Sequence, residues 1–519
     1  MNPITGSANP VELLLLGHAG ARRCGMDRQA GEVSYADMLG MVTEYAGRLS
    51  AAGVRPGCRA VVVSDDSIAA ITAVLGLWWH GCVPILLHPM LRDAEIGFVV
   101  RDSEAEFAEL NVSPERRAAL RAEVAQTVDA ARRAAGCTGL LTELGPARAS
   151  QAAGPPASFG VTDELLVQYT SGSTGRPRGV RHCMTAIHAV LRGVGSLLAL
   201  TQDDVVLSTA KLSFGYGFGN SLLFPFAAGS SSLLLDGSAD PFSVAAALQE
   251  YRPTVLFSVP RLYAGILRLV EQEKLVDTSS LRLAVATGEH LPAELATRIT
   301  ETFNVPLING FGATEVLHTV VAATVGQGDA AGVGSIGFPV PGVTATIRDD
   351  AGQLVGEETA GALHITAESV ALGYLNRPAE TVRTFADGGV YTGDIALRAA
   401  TGEIRHVGRA DDMLLLGGYK VAPAEIERVL RAVPDVTDCA VVGTTDVSGL
   451  EQATAYVVVR DPAHPDGART AARAALRDNL APYKRPSRIE IIDALPTTAN
   501  GKLARFRLRD PVGAQEKKT

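Results

Sequence analysis

The densest run of chemistry-bearing residues is Tyr169-Thr-Ser-Gly-Ser-Thr-Gly-Arg-Pro-Arg-Gly-Val180, which follows the apolar segment Leu165–Val167. Glycines at 172, 175 and 179 permit close backbone approach and positive φ. Thr170, Ser171, Ser173 and Thr174 bring hydroxyls, and Arg176 and Arg178 bring positive charge. Together with the backbone of Gly172 and Gly175 they suit a polyphosphate cradle built from N–H groups. A flexible linker rarely joins this spacing to a strand entry. No Gly-Lys-Ser/Thr follows, so this is not a Walker A loop. Gly215-Tyr-Gly-Phe-Gly219 likewise lacks the dinucleotide spacing.

Four further motifs follow in order. Asn309-Gly-Phe-Gly-Ala-Thr-Glu315 succeeds a predicted strand, Pro306–Ile308. A carboxylate just past a Gly-rich loop can hold Mg²⁺ on phosphate oxygens, although a helix-starting Thr-Glu pair is the commoner use of that spacing. In Tyr391-Thr-Gly-Asp394 the aspartate can accept both hydroxyls of a ribose or stabilise its own turn. Gly408-Arg-Ala-Asp-Asp412 leads into Gly417-Gly-Tyr-Lys420 and Pro423-Ala-Glu-Ile-Glu427. In Pro496-Thr-Thr-Ala-Asn-Gly-Lys-Leu503, Lys502 sits on a loop close to Arg505, Arg507 and Arg509. The chain has seven Lys among 47 basic residues, the rest being Arg. That bias is largely compositional, yet a persisting Lys marks a place where a compact, rotatable ammonium differs from a planar fork. A solvated surface lysine is the plain alternative.

Alternating strands and helices must position these motifs. Arg59–Ser64, Val83–Leu87, Val255–Val259 and Leu283–Thr287 read as buried strands. Ala69–Gly81, Pro260–Val270 and Leu291–Thr302 read as helices. Continuous Val/Leu/Ile strands followed by amphipathic helices predict parallel sheet covered by helices, an α/β architecture. Residues 116–151 read as a surface helix and 154–160 as a connector. From about Val333 to Arg409 short strands and turns predict a β-rich subdomain. A last α+β unit then has helices at 424–432 and 469–480 and strands at 439–443, 453–459 and 489–492. The expected domains are 1–410 and 411–519.

The 519 residues allow a large core without staples. With 47% hydrophobic and 20% charged residues and a net charge of −9, the balance is that of a soluble globular protein and argues against nucleic-acid binding. Six scattered Cys without a CxxC pair argue against zinc and suit a reducing, cytoplasmic setting. The apolar run Val11–Leu16 is too short to span a membrane. Neither a GxSxG elbow nor an HExxH motif is present.

The order and spacing of the five motifs resemble the adenylate-forming superfamily of acyl- and aryl-CoA synthetases, over about Ser34 to Arg509. Within it, Ala210-Lys-Leu-Ser-Phe-Gly-Tyr-Gly-Phe-Gly-Asn220, Thr314-Glu-Val-Leu-His318 and Leu495-Pro-Thr-Thr-Ala-Asn-Gly-Lys502 resemble benzoate-CoA ligases. The resemblance implies a large N-terminal domain and a small mobile C-terminal domain hinged at Asp411. It implies ATP, Mg²⁺ and coenzyme A as cofactors, and a small aromatic carboxylic acid as substrate. Lys502 would lie between carboxylate and α-phosphate, with Thr314 and Glu315 also catalytic and Glu315 holding Mg²⁺. The 170–178 loop would hold the β- and γ-phosphates, and Asp394 and Arg409 the ribose. Further ATP contacts would come from Gly288, Glu289, Asn309, Gly310, Phe311 and Gly312. After adenylation, Gly417, Gly418 and Tyr419 would line the route for CoA.

By the same resemblance Phe214, Tyr216, Ala286, Thr287, Gly288, Gly312, Ala313 and His318 line the acyl pocket. Small residues on one wall and aromatic ones on another suit a flat ring. The absence of a second charged group among them favours benzoate or a neutral hydroxy- or aminobenzoate such as anthranilate. His318 either hydrogen-bonds a ring substituent or is a buried, satisfied histidine. Three departures from the family pattern stand out: Arg at 176 and 178 where Lys is usual, Phe311 in place of Tyr, and Leu414-Leu-Leu-Gly-Gly-Tyr-Lys420. An aryl-acid adenylating enzyme that loads a carrier protein is the alternative. A homodimer is implied by the resemblance alone.

Overall fold

The computed structural model describes residues 9–18, 20, 22–122, 153–171, 177–237, 239–273, 276–326, 335–416, 419–445, 451–462, 464–480, 484–497 and 503–509. The chain divides into two compact units. One comprises 1–346, 364–392 and 401–405; the other comprises 347–363, 393–400 and 406–519.

In the first unit, Val205–Ser208, Ser231–Leu233, Val255–Ser258, Leu283–Thr287 and Leu307–Gly312 pair in parallel. Each is a short apolar run, and helices such as Pro241–Tyr251, Pro260–Glu273 and Ala293–Phe303 cover the sheet. The direction then reverses: Thr319–Val325 runs antiparallel to Leu307–Gly312 and to Ser335–Pro339. A smaller parallel sheet joins Arg59–Ser64 to Val83–Leu87 and Phe107–Asn111. Its helix Ile68–His80 is capped by Ser67, whose side chain accepts from Ala70 N, and ends at Gly81 with φ 91°. A third, antiparallel layer is the hairpin Leu166–Ser171/Pro177–His182, extended by Gly373–Tyr374.

Two segments differ from their sequence reading. Asn309 to Gly312 is strand rather than loop, because the strand beginning at Leu307 runs on to Gly312 in register with Thr319–Val325. A Cβ at Gly312 would collide with the backbone carbonyl of His318, so glycine here reflects close strand approach rather than a flexible loop. Asp394 likewise lies within the strand Val390–Arg398 and not at a turn; Gly393 just before it has φ 75°. Most of the helix read over 116–151 lies outside the described residues.

The second unit carries its own sheet. Val436–Thr445 pairs antiparallel with Glu451–Val459, which pairs in parallel with Arg488–Ile491. Ile426 and Leu430 of helix Pro423–Arg431 and Ala472 and Leu476 of helix Pro465–Asn479 fill its core against Cys439, Val441, Ala455 and Val457. Among the described residues no helix is long and apolar enough to cross a membrane.

Candidate active site

Ligands of open α/β sheets gather at the carboxyl ends of parallel strands, and the candidates that follow strands Val205–Ser208, Leu283–Thr287 and Leu307–Gly312 lie there. The aromatic segment is tethered first. At the end of strand Arg59–Ser64, Asp65 accepts from Lys211 Nζ at 2.9 Å and Asp66 accepts from Leu212 N at 2.9 Å. Burial acts to raise the Asp65 carboxyl, but the nearby His88 imidazole and the Lys211 ammonium hold it well below its ordinary value. Asp66, fully enclosed, is pushed up to about 6 by burial. From this anchor the chain forms a helical turn, Gly215–Phe218, and a π-helical turn, Gly219–Leu223.

Tyr216 crosses to the central sheet, its hydroxyl donating to Val285 O at 3.2 Å. Its ring lies 5.3 Å from that of His318, and Phe224 meets His318 edge-on at 4.8 Å. The ring of His318 rests on Gly219, where a side chain would overlap it, and Gly312 passes beside its carbonyl. Thr287 Oγ1 donates to Gly310 O. Tyr216, Thr287, Gly312 and His318 are thus linked through direct contacts or adjoining strands. Phe214 stands at the N-terminus of the turn, while Gly288 (φ 90°) and half-buried Ala313 lie at strand ends. Ala286 is different. Strand alternation puts it with Ala284 and Leu256 in the core on the opposite side from Val285, so its methyl does not join the Tyr216 wall.

Glu315 sits on the 3₁₀ turn Thr314–Val316, three residues from His318. Between them Leu317 adopts φ 67°, ψ −45°, and His318 N donates back to Val316 O at 2.8 Å. This is a γ-turn with positive φ, a conformation of high cost for a branched side chain. It aims two consecutive parts of one short segment at different neighbours. Glu315 Oε1 accepts from the Tyr374 hydroxyl at 2.7 Å. Burial and the Glu315 charge push the Tyr374 phenol well above its ordinary value, so it stays a donor. Arg178 lies 5.1 Å over the Tyr374 ring, and its Nη1 donates to Glu380 Oε2 at 3.1 Å. Arg178 is therefore already engaged. Tyr374 and Glu380 carry no local spacing signal and were not among the sequence candidates.

Thr170 pairs with Arg178 and Ser171 with Pro177 at the mouth of the hairpin. Gly172, Ser173, Thr174, Gly175 and Arg176 lie outside the described residues. Asn309 Nδ2 donates to Ser335 O at 3.2 Å, and Glu289 Oε2 accepts from Arg261 N at 3.1 Å. Gly310 pairs with Thr287 and with Ala322 on its two sides, and Phe311 is half-buried.

In the second unit Asp394 is buried and accepts from Arg409 Nη1 and His406 Nε2, both at 2.9 Å. His406 was not anticipated; its position two strand residues before Gly408 has no signature alone. Glu427, also buried, receives Arg505 Nη1 at 2.5 Å, Arg431 Nη2 at 3.2 Å and Val441 N at 2.8 Å. Asp412 receives Arg509 at 2.5 Å. Thr497 and Leu503 form a bridge, and Ala504 N donates to Pro496 O at 2.8 Å, closing the base of the segment that carries Lys502. Lys502, Gly417 and Gly418 lie outside the described residues, as do the side chains of Asp411 and Tyr419.

Residues 19–375 match the family model of AMP-binding enzymes, and residues 425–502 match that of the AMP-binding enzyme C-terminal domain. The chain belongs to the adenylate-forming AMP-binding enzymes. It is 33% identical over 490 residues to a benzoate–CoA ligase of Thauera aromatica, covering 92% of this chain and 91% of that one. It is 32% identical to an anthranilate–CoA ligase of Pseudomonas aeruginosa, covering 88% and 87%. Among solved structures, a benzoate CoA ligase from Burkholderia xenovorans superposes with a TM-score of 0.83 at 30% identity, over 96% of this chain and 99% of that one. Its activity class is that of an AMP-forming acid–CoA ligase.

Proposed function

We propose that this enzyme is an ATP-dependent aryl-CoA ligase that activates benzoate or a small neutral hydroxy- or aminobenzoate. The observation that carries the reading is the three-residue step from Glu315 to His318, which puts a carboxylate in a polar corner and an imidazole in an aromatic wall on one short turn. Such a step suits an acid whose carboxylate must meet a nucleotide while its ring is held dry. The benzoate, hydroxybenzoate and anthranilate ligases among its relatives support the same substrate class.

In this reading a carboxylate oxygen attacks the α-phosphorus of ATP, the bond to the β-phosphate bridging oxygen breaks, and pyrophosphate leaves. The thiol sulfur of CoA then attacks the acyl carbon, the bond to AMP breaks, and the thiol proton is released. Lys502 would neutralise charge building between carboxylate and phosphate in the first step. The loop at 170–178 would hold the outer phosphates, and Asp394 and Arg409 the ribose. Mg²⁺ would supply charge neutralisation on the phosphates when bound. No group of three His, Cys, Asp or Glu among the described residues is arranged for a metal. Glu315 alone fits a Mg²⁺ whose remaining ligands are phosphate oxygens and water. A hinge at Asp411, and entry of CoA past Gly417, Gly418 and Tyr419, complete the proposal.

Exchange of radiolabelled pyrophosphate into ATP across a panel of aryl and short aliphatic acids tests the first half. Preference for aliphatic acids would overturn it. Thioester assays with CoA and with a free carrier protein test the second half, and acylation of the carrier alone would establish the carrier-loading alternative instead.

A further inference from the structure

Two Gly-Cys dipeptides lie side by side at the entrance to the smaller parallel sheet. Gly57 and Gly81 both hold positive φ, 84° and 91°, and Gly57 N donates to Gly81 O at 2.7 Å. Just beyond, Val83 N donates to Cys58 O at 2.9 Å, and the strands run in parallel from Arg59 opposite Val83. Cys58 and Cys82 therefore stand abreast on neighbouring strands, which lie about 4.8 Å apart. A disulfide spans about 4.4–6.8 Å between Cα atoms, so this spacing suits one. Both are free thiols, and their sulfurs are 3.4 Å apart, a short closure from the roughly 2.05 Å of a disulfide. Cys82 is fully buried, whereas Cys58 keeps 7% of its surface beside exposed Arg55, Pro56 and Gly57. A hydrogen bond from Cys82 outweighs burial and holds the Cys58 thiol below its ordinary value, while that bond and burial push the Cys82 thiol up. Cys24 and Cys439 are different. Burial pushes both up to about 12, and their thiols donate to backbone carbonyls, Ser34 O and Glu427 O.

We propose that Cys58 and Cys82 are a reversible oxidation site, which a hydroperoxide converts to an intramolecular disulfide. The thiolate of Cys58, the more accessible sulfur, attacks the peroxide: an S–O bond forms, the O–O bond breaks, and hydroxide or alkoxide leaves. The Cys82 sulfur then attacks the sulfenic acid. The S–S bond forms, the S–O bond breaks, and the Cys82 proton departs with the hydroxide as water. The two sulfurs together lose two electrons, and the peroxide gains them. An external thiol reverses the step by exchange. The pair uses none of the residues assigned to adenylation, so it stands apart from the aryl-CoA ligase reading. The closed loop contains strand Arg59–Ser64 and helix Ile68–His80. Such a crosslink stabilises chiefly by restricting the unfolded chain.

Peptide mass mapping of the full-length enzyme tests this, after limited treatment with hydrogen peroxide and alkylation of the remaining thiols. A crosslink between Cys58 and Cys82, lacking both thiol hydrogens, is expected before Cys24, Cys183 or Cys439 is modified. It should vanish on addition of dithiothreitol. The oxidised enzyme should melt a few degrees higher, a shift absent from Cys58→Ser and Cys82→Ser. The two variants separate the roles. Cys82→Ser should leave Cys58 as a sulfenic acid that dimedone traps, and Cys58→Ser should leave Cys82 unlabelled. The map of the parent enzyme needs no substitution, so a variant that fails to fold leaves the test intact. Earlier oxidation of other cysteines, scrambled pairing, or disulfides only between chains would overturn the proposal. Dimedone labelling of Cys82 in Cys58→Ser would overturn the order of attack.

Discussion

Glu315, the proposed Mg²⁺ ligand, already has one of its oxygens occupied by the Tyr374 hydroxyl at 2.7 Å. A hydrogen bond to a charged group contributes about 1.5–3 kcal/mol. Tyr374→Phe should therefore lower adenylation by about tenfold and raise the Mg²⁺ concentration needed for half-maximal pyrophosphate exchange. A purely structural role for Tyr374 would lower the rate without moving the Mg²⁺ dependence. Arg178, seated on the Tyr374 ring and paired with Glu380, links the hairpin strand to this carboxylate. At Lys502 the expected outcome is different in kind. Lys502→Ala should reduce adenylate formation by about a hundredfold or more while sparing thioester formation from supplied acyl-adenylate. Equal loss of both steps would remove its assigned role. Lys502→Arg with intact adenylation would refute the need for a compact ammonium at that position.

At the scale of elements, the strand Leu307–Gly312 and the turn after it have to be built together. The antiparallel return through Thr319 brings the His318 carbonyl onto Gly312, and the γ-turn at Leu317 turns the imidazole into the aromatic wall. The groups that a Cβ at 312 would meet are backbone atoms, so no rotamer change relieves the overlap. Gly312→Ala should cost about 1–3 kcal/mol, read as a lowered Tm, and should also weaken kcat/KM for the aryl acid because the His318 segment is displaced. An unchanged Tm would show that the strands separate more easily than their register implies.

The chain divides into two compact units, and each is held by polar contacts within itself. In the second, the buried Glu427 ties helix Pro423–Arg431 to strand Val436–Thr445 and to Arg505. Burial alone would raise its carboxyl, but the charge and hydrogen bonds of Arg505 outweigh it and hold the group below its ordinary 4.5. The folded-state value is depressed, so the stabilisation is present above the unfolded value and is lost as pH falls through and below it. Calorimetry of the full-length enzyme should show this contribution fading as pH drops below about 4. Glu427→Ala, which leaves Arg505 with Val441 O at 2.9 Å and Asp412 at 3.6 Å but without its buried carboxylate, should destabilise at neutral pH by about 3 kcal/mol, with the difference from the parent protein narrowing in acid.

The α/β class, the parallel strands of the central sheet and the family are all readable from the order of the amino acids. Runs such as Arg59–Ser64 and Leu283–Thr287 are buried on both faces, and that burial is written into their own residues. The segment 169–180, Glu315 and His318 stood out in the sequence as candidates because spacing along one chain segment carries them. Contacts between distant segments came only with the folded chain. Tyr374 reaches Glu315 across 59 residues, and Asn220 reaches His318 across 98. Asn309 to Gly312 read as a loop because glycines favour turns, whereas a neighbouring strand close enough to exclude side chains made them strand. Ala286 read as pocket lining, yet the pleat of its strand turns it to the opposite face. Hydrogen-bond direction, too, belongs to the fold. Whether an imidazole nitrogen donates or accepts depends on partners brought to it through space, and here those partners leave Nδ1 of His318 as an acceptor.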